Sequence, residues 1–127
     1  MKWRDECATC MKCDTNNILI APHFNLVEFE CPCCARVIIN KKGIEKLEKL
    51  RAETQRPIVI TSGYRCSRHN REVKGHPFSL HQEGRAYDIA ANTENTLKVS
   101  IKKLFAGSYY NKDRKYWHVQ LDPVKEW

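Results

Sequence analysis

A chain of 127 residues, 42% hydrophobic and 29% charged, is long enough to bury one modest core and too apolar to stay disordered. No apolar run approaches the ~20 residues that cross a bilayer. The start, Met1 to Cys7, lacks the apolar stretch of a secretory signal, so the chain is expected to be cytoplasmic as synthesised unless something releases it. The formal charge of +7 suits approach to a polyanion, a cell wall or a nucleic acid, without choosing between them.

Residues 1–22 read as irregular and carry Cys7, Cys10 and Cys13; Cys31, Cys33 and Cys34 follow around Pro32. Seven cysteines without a signal point to thiols and metal rather than disulfides. Cys10-x2-Cys13 and Cys31-x2-Cys34 fit the paired spacing of a structural zinc site, with Cys7 or Cys33 as substitutes. Four thiolates would staple a segment too short to bury its own core. The plain alternative is a set of free thiols; an iron–sulfur cluster fits the spacings poorly. Residues 1–36 are therefore set apart as a Cys-rich segment, and 37–127 as the main unit.

Asn40 can cap a helix over 41–55, in which Ile44, Leu47 and Leu50 form one apolar stripe. Arg56-Pro57 ends it. Ile58 to Thr61 is β-branched and predicts a buried strand. Residues 67–80 read as loop with one helical turn at most, and their His69 and His76 as loop histidines rather than ligands. A second helix starts at Asn92 or Thr93; Leu97, Ile101, Leu104 and Phe105 fall on one face, and Gly107 is a natural stop. Residues 107–115 read as a polar, basic connection, and Tyr116 to Leu121 as the last strand.

The chemistry centres on Ser79-Leu80-His81-Gln82-Glu83-Gly84-Arg85-Ala86-Tyr87-Asp88. His81 and Asp88 are too far apart in sequence to share a helical turn. The alternation from Arg85 to Ala90 predicts a strand carrying Asp88, with His81 in the loop that enters it. His118, in Tyr116-Trp117-His118-Val119, would sit on a neighbouring strand. Two imidazoles and a carboxylate are a common three-ligand set for zinc with an open fourth position.

Ser79, His81, Gly84, Ala86 and Asp88 match SxHxxGxAxD, and the chain here resembles the zinc D-alanyl-D-alanine carboxypeptidase family. That family includes phage endolysins that cut peptidoglycan stem peptides. The resemblance extends to His23–Phe29, to Ile60-Thr61-Ser62-Gly63-Tyr64-Arg65 with His69-Asn70, and to Trp117-His118-Val119, so that it covers roughly residues 23 to 122. It implies a hedgehog/DD-peptidase-like α+β fold: a small, mostly antiparallel sheet from 58–61, 85–90 and 116–121, with packed helices and a Cys-rich N-terminal extension. It implies a catalytic Zn2+ on His81, Asp88 and His118, with a second, structural ion on Cys10, Cys13, Cys31 and Cys34 as the separate expectation from spacing. It also implies that Arg65 binds the substrate carboxylate and that Ser79 touches substrate or braces the ligand loop.

Two positions depart from the family pattern. The water-activating acid usually stands three residues before the second histidine, where this chain has Lys115. Asp113 and Glu83 are the acids expected to replace it as general base. Gln120 stands where many relatives have an aspartate, altering the surroundings of the histidine ligand.

Three functions compete on these residues. The first is a zinc metallopeptidase acting on peptidoglycan stem peptides, either a D-Ala-D-Ala carboxypeptidase or an L,D-endopeptidase, with a phage lysin released through a holin or carried in the virion as its setting. The second is a weak or inactive relative that keeps the metal and serves as a structural or virion binding module. The third, ranked last because no nucleic-acid-binding motif is present, is a basic zinc-ribbon protein that binds nucleic acid in a salt-sensitive way.

Overall fold

Asn40 accepts a hydrogen bond from the Gly43 backbone and starts the first helix, α1, Lys41–Thr54. Gln55, in the left-handed conformation, ends it. Ile44, Leu47 and Leu50 turn inward as their spacing predicts. The computed structural model describes residues 16–123. Within them, two short strands, β1 (Leu19–Ala21) and β2 (Phe24–Asn25), pair antiparallel ahead of a 3-10 turn at Leu26–Phe29.

After α1 the chain forms β3 (Ile60–Ser62), α2 (Ser67–Glu72), a second 3-10 turn (Leu80–Glu83), β4 (Ala86–Ala90), α3 (Asn95–Leu104), β5 (Gly107–Asn111) and β6 (Tyr116–Gln120). The four later strands make one antiparallel sheet in the order β3-β4-β6-β5. The fold is thus α+β, with the three strands expected from sequence inside the sheet. β5 is a fourth. By sequence, residues 107–111 read as part of a connection because Ser108, Tyr109, Tyr110 and Asn111 are polar or amphipathic. On an edge strand such residues are ordinary, since one face stays wet. Gly107 opens this strand instead of stopping the helix, which ends at Leu104. α2 is longer than the single turn expected in 67–80, and β3 runs Ile60–Ser62 as a partly exposed edge strand rather than the buried strand expected at 58–61.

The core is continuous from the N-terminal part of the described chain to its end. Phe24 and Phe29 pack with Leu47, Leu50, Tyr87, Ile89, Ile101, Trp117 and Val119. The Phe29 ring meets Tyr87 edge-on at 5.6 Å. Lys46 and Lys103 tie α1 to α3 through the Leu104 carbonyl and Glu53. No helix among the described residues is long and apolar enough to cross a membrane.

Gly63 follows β3 and lies against the 3-10 turn. A Cβ there would stand 2.7 Å from the Phe29 Cα and 2.9 Å from its carbonyl oxygen. That oxygen accepts from the Tyr64 N–H at 2.8 Å, so neither backbone can withdraw freely. Gly63→Ala is expected to cost about 1–3 kcal/mol through overpacking. Thermal unfolding followed by circular dichroism should show a midpoint lower by about 5 °C or more; an unchanged midpoint would mean that the Phe29 turn gives way without penalty.

Candidate functional site

β4 and β6 pair so that Asp88 lies directly opposite His118. The pleat sends both to one face, while Tyr87, Ile89, Trp117 and Val119 enter the core. His81 reaches the same point from the 3-10 turn. Ser79 caps that turn by accepting from the His81 N–H, and Gly84 closes it at φ +70°. A side chain at Gly84 would also strike the Ile38 carbonyl, so both the conformation and the space select glycine.

Asp88 Oδ1 lies 3.2 Å from His81 Nε2 and 3.1 Å from His118 Nδ1. The far nitrogen of each ring is committed elsewhere. His81 Nδ1 is 2.7 Å from the Gly63 carbonyl oxygen, which can only accept. His118 Nε2 is 2.7 Å from Gln120 Oε1. The Gln120 amide is oriented by its own NH2, which donates to the Asp122 and Pro123 carbonyls. In its neutral form each imidazole spends its one N–H on that partner. It turns a lone pair towards Asp88.

Burial pulls the His81 pKa down, more than Asp88 restores it, so the ring is neutral at neutral pH. One charged oxygen and two lone pairs thus face each other, an arrangement that a cation relieves. The three ligand atoms lie within 4.8 Å of one another. Bonds of ~2.0–2.1 Å at tetrahedral angles separate ligand atoms by about 3.3 Å, close to the two contacts found. The donor set fits zinc.

The site opens into a cavity of about 630 Å3. Arg65 lines it, and the Arg65 Nε is buried without a hydrogen-bond partner among the described residues. Burial lowers the arginine pKa, while Asp88, Tyr109 and Tyr116 support its charge. Its backbone N–H donates to the His81 carbonyl at 3.0 Å, linking it to the ligand turn. The Tyr109 ring on β5 stacks on His118, with centroids 4.8 Å apart.

His81, Asp88, His118, Arg65 and Ser79 thus come together around one cavity. Asp113 and Glu83 do not line it. Asp113 is exposed in the turn between β5 and β6, and Glu83 is exposed at the end of its 3-10 turn. Lys115 and Arg114, beside Asp113, do line the cavity, and Lys115 adopts the left-handed conformation at φ 58°. Among the described residues, Asp88 is the one carboxylate in the cavity wall. Cys31 and Cys34 lie together, with Cys33 and Cys66 beside them; Cys10 and Cys13 lie outside the described residues.

Sequence reasoning singled out Gln120 as a departure from the family pattern rather than as the acceptor for His118, and it missed the Gly63 carbonyl as the acceptor for His81, and Tyr109. Only Gln120 left a readable signal, since two residues beyond His118 on a strand is the same face.

No curated protein matches the chain. A family model described as Peptidase M15 matches residues 5–120, almost the whole length, and it spans the His81, Asp88 and His118 segments. The chain belongs to the Peptidase M15 family, whose members are metallopeptidases.

Proposed function

We propose that this chain is a zinc metallopeptidase that hydrolyses the peptide stems of bacterial peptidoglycan, with His81, Asp88 and His118 as its ligands. The observation that carries this reading is the convergence of two imidazoles and one carboxylate, each imidazole with its far nitrogen already hydrogen-bonded. A divalent ion held there supplies a Lewis acid that polarises a carbonyl and lowers the pKa of water. Arg65 offers a charged fork to the stem's carboxylate, with its Nε unpartnered in the cavity wall. Ser79 braces the turn that carries His81. The net charge of +7 favours approach to an anionic wall. The finer choice between carboxypeptidase and L,D-endopeptidase, and the setting as a phage lysin, rest on the motif resemblance alone.

Proton transfer falls to Asp113 in this reading. It shares the β5–β6 turn with cavity-lining Arg114 and Lys115, so a rearrangement of that turn brings its carboxylate to the cavity rim. Glu83 is the second choice; its charge acts on Arg85, which is paired with Asp122.

One observation favours the alternative, a relative that binds metal yet hydrolyses slowly or not at all and serves as a structural or virion binding module. Lys115 holds the position of the usual acid, and no second carboxylate lines the cavity among the described residues.

Muropeptide cleavage decides between the two. The zinc-loaded chain is expected to cleave, to stop on chelation and to recover with added Zn2+; a loaded chain that releases no product establishes the alternative. Asp113→Asn should lower kcat by about 10²–10⁴-fold with metal content unchanged. If Glu83→Gln gives that loss instead, the base is Glu83.

Arg65→Lys keeps the charge and loses the fork. It should raise KM or lower kcat/KM by about tenfold or more on substrates ending in a free carboxylate, and change little on amidated ones. An equal loss on both would remove Arg65 from substrate recognition. Gln120→Leu frees the His118 tautomer and should weaken zinc affinity by about 10–100-fold, read by competition with a chromogenic chelator. Unaltered affinity would show that the Gln120 contact does not orient the ring.

A further inference from the structure

A second set of donors converges away from the cavity's His/Asp/His cluster. Cys31, Cys33 and Cys34 come from the loop after the first 3-10 turn, and Cys66 from the residue that caps α2. The Sγ atoms of Cys33 and Cys66 are 3.3 Å apart, and Cys31 is 3.7 Å from each. All four sulfurs lie within 4.8 Å of one another. These separations are far beyond a disulfide bond of ~2.05 Å. They approach the edge of a zinc tetrathiolate, about 3.8 Å for bonds of ~2.3 Å.

The backbone explains why three near-adjacent cysteines can face one point. The Cys31 N–H donates to the Arg36 carbonyl at 2.7 Å, and the Ala35 N–H returns to the Cys31 carbonyl at 2.8 Å. Ala35 holds φ 61° to close this knuckle. The fourth sulfur arrives from a separate part of the fold, 32 positions beyond Cys34, and accepts the His69 N–H at 3.4 Å.

We propose that Cys31, Cys33, Cys34 and Cys66 form a closed tetrathiolate site for a structural Zn2+ ion, which clips the 31–36 knuckle to the start of α2. Cys33 and Cys66 thereby take the places that spacing had assigned to Cys10 and Cys13. Tetrahedral sulfur donors select zinc or iron–sulfur centres, and these spacings do not follow the ferredoxin runs. Four protein ligands leave no open position, so the ion's role is structural. Its location gives that role a consequence. Cys66 directly follows Gly63-Tyr64-Arg65, whose carbonyl and N–H groups hold His81 and Phe29. The clip therefore anchors the turn that orients one proposed catalytic ligand and presents Arg65.

Elemental analysis of the purified full chain tests this, with cobalt substitution as the spectroscopic reporter. Wild type should carry about two zinc equivalents, with Cys66→Ser and His81→Ala each carrying about one and the double variant none. The thiolate-to-cobalt charge-transfer band should survive in His81→Ala and vanish in Cys66→Ser. A Cys66→Ser chain that keeps both equivalents and the band overturns the proposal, as does a wild type with one equivalent that His81→Ala removes. If Cys66→Ser does not fold, differential alkylation of the zinc-loaded wild type, mapped by mass spectrometry, decides the matter. Cys31, Cys33, Cys34 and Cys66 should resist labelling until a chelator is added; free labelling of Cys33 or Cys66 beforehand overturns the site. Because the two sites lose separate equivalents, failure here leaves the peptidase reading untouched, and the reverse also holds.

Discussion

The register between β4 and β6 is the constraint on which the rest depends. Asp88 pairs with His118, and the residues on either side of each, Tyr87 and Ile89, Trp117 and Val119, fill the core. A slip of one residue would bury the carboxylate and imidazole and expose those four apolar side chains. Burying a large apolar side chain stabilises by roughly 1.5–3 kcal/mol, so the core alone holds the two proposed ligands opposite each other. The polar pair contributes little to that choice; it inherits a geometry set by its neighbours.

His81 is placed by a different device. It stands on no strand, and its position depends on a short turn capped by Ser79, closed by Gly84 and held from above by the Gly63 carbonyl and the Arg65 N–H. Gly63 in turn can lie where it does only because the Phe29 backbone faces a hydrogen atom rather than a methyl group. The N-terminal part of the described chain, often dispensable in a small domain, is here structural support for the site. The cysteine knuckle lies on the same path, between Phe29 and Cys66.

Much of this was legible in the sequence. The alternation around Asp88 and His118 named their strands, the 3.6-residue stripe named α1, and Asn40 named its cap. The limits have physical causes. β5 was hidden because an edge strand with a polar face resembles a connection by composition. Cys66 read as a passive small residue because its partners lie 32 or more positions away, and no local period reports a contact made by folding. CxxC spacing measures proximity along the chain, whereas the knuckle at Cys31–Arg36 and the cap of α2 bring Cys33 and Cys66 beside Cys31 and Cys34 in space. Gln120 counted as a departure from the family pattern because an aspartate is the usual partner; its amide oxygen accepts from His118 equally well in geometry and brings no charge.

That last difference bears on how the site balances charge. Asp88 is the one carboxylate among the cavity-lining described residues, against Arg65, Lys74, Arg114 and Lys115. With an aspartate beside His118, the imidazole would carry more negative character to the ion; with Gln120 it carries less, and a bound ion keeps more of its positive charge. An electropositive site depresses the pKa of water near it and attracts carboxylates, both useful to a peptidase acting on acidic stems. On the peptidase reading proposed above, Lys115 in the cavity wall adds to that positive field.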